Sequence, residues 1–290
     1  MWYICLVAKS IAEWCNGSTS ASDTASQGSN PCSAANIRPQ ILQGFAVFFV
    51  HVFFACADNV YKTFIARYGG DEFIMVAKNG GEQIMKVLIL NGSPTIGGNT
   101  SIACDELVKT FEAEGVEAEV IQIGNKAIRG CIACRSCANT GKCVFDDGVN
   151  EIAARFEEAD GLVVASPVYY ASANATLIAC LDRLFFSSHF DKTMKVGASV
   201  AVARRGGTSA TFDELNKYFT ISNMPVASSQ YWNSVHGRQK GEAAKDLEGL
   251  QTMRVLARNM SFLMKSIALG KEKFGLPETE EHAWTHFIRE

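Results

Sequence analysis

Downstream of Met85 the chain repeats one pattern: a short apolar run, a polar or glycine-rich connection, then an amphipathic stretch of helical period. The run Lys86 to Asn91 (KVLILN) predicts a buried strand, and Asn99 to Glu114 predicts a helix ended by Gly115. Val116 to Ile123 is the second predicted strand. Asp146-Asp147 leads a helix that runs to Ala159, and Gly161 to Ser166 (GLVVAS) is the third strand. Ala173 to Phe186 is helical, Val196 to Ala203 is the fourth strand and Pro225 to Trp232 the fifth. Five strands with intervening helices predict an α/β fold, a doubly wound parallel sheet of order 2-1-3-4-5. A long helix follows with an apolar stripe at Met253, Leu256, Met260, Leu263, Met264 and Ile267, a core-facing pattern that would also suit a subunit interface. The tail from Lys271 to Glu290 reads as an arm.

Ahead of Met85 the pattern breaks. Residues 1–84 carry no sustained period, no helix caps and no strand–helix alternation. Ala12 to Ala34 is Ser-rich and polar, a composition that predicts disorder. Read back into codons, Gly28-Ser29-Asn30-Pro31 permits GGTTCGAATCC, which resembles the T arm of a transfer-RNA gene, and Gly80-Gly81 permits a purine-rich GGAGG shortly before Met85. Residues 1–84 are therefore expected to be a non-native upstream extension or a disordered segment, with the working domain at 85–290. A membrane anchor over residues 41–57 is the alternative for part of that segment. The run is shorter than a span of about 20 residues and contains Gln43 and His51, so a membrane is not the expected partner. The opening MWYICLVAKS lacks a basic region ahead of its apolar residues, so no cleavable signal peptide is expected.

Charge narrows the partners only a little. With a formal net charge of -3 over 290 residues and no basic stripe, the chain gives no electrostatic reason to bind nucleic acid.

Chemistry enters at two loops. The first, Gly92-Ser93-Pro94-Thr95-Ile96-Gly97-Gly98-Asn99-Thr100, joins a strand to a helix, with glycines for close approach. Hydroxyl and amide groups of Ser93, Thr95, Asn99, Thr100 and Ser101, together with a helix N-terminus, suit a phosphate. No lysine follows Gly98 and the three-glycine dinucleotide spacing is absent, so a monophosphate such as that of FMN fits better than ATP or NAD. The second loop holds Cys131, Cys134, Cys137 and Cys143 in CxxCxxCxxxxxC spacing. Thiolates at i, i+3 and i+6 can converge on one inorganic core that a fourth then closes, the logic of iron–sulfur ligation. Zinc and metal-free reduced thiols are the alternatives, since structural zinc sites usually separate two cysteine pairs by a dozen or more residues. Disulfides are not expected, because the rest of the chain reads as cytoplasmic, where thiols stay reduced.

These motifs carry a resemblance. Residues 85–290 resemble the NADPH-dependent FMN reductase group of the flavodoxin superfamily, and the cysteine spacing resembles its iron–sulfur flavoprotein branch. The match rests on the GSPxxxGNT-like loop at Gly92 to Thr100, the SPVY turn at Ser166 to Tyr169, the RRGG loop at Arg204 to Gly207 and the cysteine loop. It implies a flavodoxin-like sheet. It also implies that Pro167, Val168, Tyr169, Tyr170 and Asn174 line the flavin and ribityl chain, while Arg204, Arg205, Gly206 and Gly207 cover the other edge of the ring. Many relatives carry arginine where this chain has Thr95, which implies a weaker hold on the phosphate.

The expected function is FMN-dependent oxidoreduction, passing electrons between NAD(P)H or ferredoxin, FMN and a 4Fe–4S cluster held by the four cysteines. FMN holds one or two electrons, which suits it to a one-electron cluster. A metal-free FMN, quinone or nitro reductase is one alternative, and a non-catalytic electron carrier or redox sensor another. The resemblance implies a homodimer or homotetramer. Asp146 and Asp147 read as helix caps, Asp182 and Arg183 as ion-pair partners, and Cys104 and Cys180 as small buried side chains. None of His189, His236, His282 and His286 has a partner spacing that suggests catalysis.

Overall fold

A computed structural model describes residues 40–42, 45–47, 52–56, 59–68, 71–79, 84–281 and 283–285. The chain divides into two compact units, Met1–Gln83 and Ile84–Glu290.

In the first unit the described residues are strands. β1 (Gln40–Leu42) pairs antiparallel with β2 (Phe45–Val47), and β3 (Val52–Cys56), β4 (Asn59–Tyr68) and β5 (Asp71–Asn79) form an antiparallel meander. This differs from the patternless segment the sequence suggests. The β4–β5 register places Tyr68 opposite Asp71, and both strands are rich in β-branched and aromatic residues, so Gly69-Gly70 between them was a hairpin signal. The Ser-rich stretch at 12–34, Gly80-Gly81, His282 and His286 lie outside the described residues. Only part of the candidate anchor at 41–57 is described, and it is in strands. Among the described residues no helix is long and apolar enough to cross a membrane.

The second unit is a five-stranded parallel sheet of β6 (Lys86–Asn91), β7 (Glu117–Gln122), β8 (Gly161–Pro167), β9 (Val196–Ala203) and β10 (Ser234–His236). Its spatial order, β10-β9-β8-β6-β7, is the predicted 2-1-3-4-5 arrangement. Alternate residues of each central strand feed opposite cores, which is why those strands are apolar without a break. Val87, Ile89, Val163, Ala165, Val200 and Val202 pack with helices α1 (Asn99–Ala113) and α6 (Leu247–Phe274). Leu88, Leu90, Leu162 and Val164 pack with α3 (Val149–Glu158), α4 (Ala175–Ser187) and α5 (Thr208–Thr220). A further α-helix, α2 (Cys137–Thr140), is a single turn inside the cysteine loop. The apolar stripe of α6 is core: Met253, Leu256, Met260 and Met264 are all buried.

The predicted fifth strand needs correction. Residues 225–227 bond to Gly197 alone, and the strand itself forms later, at Ser234–His236. Gly197 and Ala201 on β9 are four residues apart, whereas their partners Val226 and Ser234 are eight apart, so four residues bulge out. Ser229 stabilises the bulge, its single hydroxyl proton shared between Tyr231 O at 2.6 Å and Asn233 Oδ1 at 2.7 Å. Asn233 restores the ladder by donating from Nδ2 to Ser199 O at 3.0 Å. The bulge carries Tyr231 and Trp232 out to solvent.

Candidate functional site

Three loops gather at the C-terminal ends of β6, β8 and β9, where open α/β sheets bind ligands. Asn91 shapes the first. Its Oδ1 accepts from Ser93 N–H at 3.0 Å and its Nδ2 donates to Ser101 Oγ at 3.2 Å, while Ser93 Oγ accepts from Thr95 N–H at 3.2 Å. Gly92 N–H donates to Ala165 O of β8 at 2.7 Å, stitching the loop to the sheet. Helix α1 begins behind Gly98 with no side chain capping it. Its first-turn N–H groups and the positive end of its dipole thus face the loop without a side-chain acceptor, the arrangement that binds anions. Ser93 and Thr100 are buried here, Ser101 is half-buried and Thr95 is exposed.

Asn99 does something else. Its Nδ2 donates to Gln239 O at 2.9 Å, and its Oδ1 accepts from Gly241 N–H and Ala243 N–H, each at 3.1 Å. Its amide therefore clamps the segment after β10. The clamp lays Lys240 beside the loop: its Nζ is 3.8 Å from where a Cβ on Gly97 would stand. Sequence reading missed this cation because 143 positions separate the two residues.

The second loop is a tight hairpin. Tyr169 and Ser172 exchange both backbone hydrogen bonds, at 2.9 and 3.0 Å, around Tyr170 and Ala171, whose φ angles of 51° and 58° are left-handed. Such φ values in non-glycine residues are strained, and they persist where surrounding contacts enforce them. Glu214 on α5 enforces them here, accepting from Ser172 Oγ and from Ala173 N–H, the latter at 2.8 Å. Tyr170 is fully exposed at the tip and Tyr169 half exposed. Asn174 is buried; its Oδ1 caps α4 through Thr176 N–H at 2.8 Å and Leu177 N–H at 3.2 Å. Val168 N–H donates to Val202 O at 2.9 Å, continuing the strand past Pro167.

The third loop touches the second. A Cβ on Gly207 would lie 2.8 Å from Ala171 Cα and 2.9 Å from Val168 Cγ1, and its φ of 88° is itself left-handed. Arg204, Arg205 and Gly206 extend from there into solvent. The structure thus brings the 167–171 and 204–207 segments into one edge, with the phosphate-type loop beside them.

The cysteine loop lies elsewhere on the same unit. Cys131, Cys134, Cys137 and Cys143 all line one hollow, together with Arg183, Phe186 and apolar side chains of the loop. Ala133 and Arg135 adopt left-handed φ values of 54° and 56° between the first three cysteines, so the backbone turns tightly there. Ala133 N–H donates to Cys131 Sγ at 3.4 Å. Cys143 is the most firmly held. Asn150 brackets its backbone, accepting from Cys143 N–H at 2.8 Å and donating to Cys143 O at 2.9 Å, and Arg183 Nε lies 3.2 Å from its sulfur. Among the described residues no three His, Cys, Asp or Glu side chains close on a single-ion position. A four-iron cluster takes one thiolate per iron and spaces its ligands more widely than one ion does, so four sulfurs on one hollow with the Arg183 side chain beside them fit that group.

Arg183 corrects one expectation and adds to another. Its side chain is 1% exposed, and it pairs with Asp147, through Nη1–Oδ2 at 2.5 Å and Nη2–Oδ1 at 2.8 Å, instead of with Asp182. Asp182 accepts from Tyr218 Oη. Asp147 thus serves chiefly the ion pair, while its carboxylate also accepts from Arg129 N–H at 3.4 Å and from Val149 N–H at the start of α3. The Arg183 hydrogen bond holds the Asp147 carboxyl below its ordinary value of 3.8. Burial pushes Cys104 and Cys180 up to about 12, which agrees with their reading as inert core thiols.

Known proteins match this arrangement. The sequence model of the NADPH-dependent FMN reductase family matches residues 85–239. An iron–sulfur flavoprotein of Methanocaldococcus jannaschii is 34% identical over 191 residues, which cover 63% of this chain and 99% of that protein. An iron–sulfur flavoprotein of Methanosarcina thermophila is 30% identical over 193 residues, 65% of this chain and 100% of that protein. In fold the chain is similar to RosB, solved with 8-demethyl-8-formylriboflavin-5'-phosphate bound, at a TM-score of 0.53 and 18% identity over 71% of this chain and 94% of that one. The flavodoxin-like sheet, the loops at its C-terminal edge and these matches together show that the chain belongs to the NADPH-dependent FMN reductase family, in its iron–sulfur flavoprotein branch.

Proposed function

We propose that this FMN-dependent oxidoreductase takes electrons from NAD(P)H or ferredoxin and passes them between FMN at the three-loop edge and a 4Fe–4S cluster on Cys131, Cys134, Cys137 and Cys143. Helix α4 carries the reading: Asn174, its cap, belongs to the hairpin loop, and Arg183 on the same helix underlies the cysteine hollow. Nine residues of helix rise span only about 13 Å. FMN supplies one- and two-electron chemistry and the cluster one-electron chemistry.

The residues divide the work. The uncapped start of α1, with Ser93, Thr95, Thr100 and Ser101, holds the phosphate. Pro167, Val168, Tyr169, Tyr170, Asn174 and the 204–207 loop line the ring and ribityl chain, and Glu214 keeps that hairpin in its strained form. Arg204 or Arg205 beside the ring favours the reduced, anionic flavin. Lys240 supplies the positive charge that Thr95 does not. Lys240→Ala is expected to weaken FMN binding about two- to fivefold at low salt, an effect that shrinks as salt rises, measured by fluorescence titration of the apoprotein. Gly207→Ala combines a strained φ with a backbone clash against Ala171, so FMN should bind about tenfold more weakly with the fold intact by circular dichroism.

A homodimer or homotetramer and a cytoplasmic location fit this reading, the latter because the thiols must stay reduced. Anaerobic stopped-flow mixing with NADH and NADPH tests the donor. Bleaching of the flavin by either supports a nicotinamide donor; no bleaching by either leaves ferredoxin.

A further inference from the structure

Arg183, paired with Asp147, lines the cysteine hollow. A guanidinium 1% exposed on a helix that otherwise buries Leu177, Cys180, Leu181 and Leu184 is costly to desolvate, and a single carboxylate would satisfy only part of it. Four of the five guanidinium donors of Arg183 are used, in a way that singles out one sulfur. Nη1 and Nη2 engage Asp147, Nη1 also donates to Arg129 O at 3.0 Å, and Nε is left for Cys143 Sγ at 3.2 Å. The planar fork is thereby locked from behind, so the N–H that faces the hollow has one direction. The ring of Phe145 lies 5.2 Å from the Arg183 guanidinium carbon and 4.5 Å from that of Arg129, and removes water from that side.

Taking Cys131 to Cys143 as cluster ligands, we infer that Arg183 is the positioning residue of that site: it fixes the Cys143 sulfur and raises the cluster's reduction potential, with Asp147 as its backstop. Four thiolates make the site anionic, and each added electron makes it more so. The Asp147 carboxylate offsets most of the guanidinium's net charge, so the effect lies in the directed Nε–H: a fixed donor on one sulfur stabilises the reduced form more than the oxidised form, because hydrogen bonds at the sulfurs set such potentials. Cys143 is the natural point of action, since Asn150 already fixes its backbone while Cys131 and Cys134 are exposed.

The test uses the full-length protein, prepared without oxygen, as Arg183→Lys and as the double variant Arg183→Gln/Asp147→Asn. The lysine keeps the charge but not the fork, and the double variant leaves no buried charge unpaired. Redox titrations followed by electron paramagnetic resonance read the cluster and the flavin in one sample. Both variants should lower the cluster couple by about a tenfold change in its one-electron equilibrium, 59 mV, with the flavin couple unmoved. Iron release to a chelator should quicken about tenfold. Loss of iron from a folded variant that keeps its flavin would also support the role, since it shows that the ligand is no longer held. A cluster that stays, with wild-type potential and wild-type release rate in both variants, overturns it. Wild-type protein without iron would instead overturn the cluster reading on which the inference rests.

Discussion

Cys137→Ser protein, prepared without oxygen, is expected to keep its flavin and lose its iron. Cys137 is the least exposed of the four loop cysteines, at 9%, and it opens the single-turn helix α2 that Gly141 closes with a φ of 66°. A serine hydroxyl is a hard, largely protonated donor in place of a soft thiolate, so the four-ligand set falls to three. Iron content should drop at least about tenfold relative to wild type. Flavin content should hold, because none of the loops at 92–101, 167–174 and 204–207 includes a cysteine-loop residue. Iron at the wild-type level in the variant would remove Cys137 from the ligand set. Equal turnover in the two proteins would favour a reductase whose cysteine loop takes no part in catalysis.

The second large effect is on stability. Asp147→Ala leaves the Arg183 guanidinium buried without its carboxylate, a change that costs about 3 kcal/mol, the lower end for a broken buried pair because Asp147 itself is 17% exposed. For a domain of this size that lowers the melting temperature by roughly 6–12 °C, measured by calorimetry on the apoprotein. The pH dependence has a definite sign. Because the Arg183 bond lowers the Asp147 pKa below 3.8, its stabilisation is fully present above that value and is lost as pH falls through the lower, folded-state value. The gap between wild type and variant should therefore be constant near neutrality and narrow only below about pH 4. A gap that stays open in strong acid would mean the loss came from packing and not from the ion pair.

What the sequence showed and what it hid divide along contact distance. Strands β6, β8 and β9 are buried on both faces, so each reads as an unbroken apolar run, and the loops behind them carry their glycines, hydroxyls and cysteines in local order. Such features need no knowledge of tertiary contacts. Arg183 bonds partners 36, 40 and 54 positions away, and nothing near it in sequence announces them. One signal existed: Arg183 shares the apolar face of α4 with Cys180 and Leu184, where an unpaired charge is not tolerated. Asn99 misled for a related reason, since its amide type suits a phosphate cradle and a backbone clamp equally well. The broken fifth strand was obscured because Pro225 to Trp232 has strand composition but is four residues too long for its partner.

The proposed function places a flavin and an iron–sulfur cluster on one unit. Its most direct test is an ultraviolet–visible spectrum of the full chain purified without oxygen, with iron, sulfide and flavin assayed on the same sample. Flavin bands over a broad iron–sulfur shoulder, bleached by dithionite, are expected, with about four irons and four sulfides per flavin. Flavin alone, with no iron or sulfide above background, would contradict it.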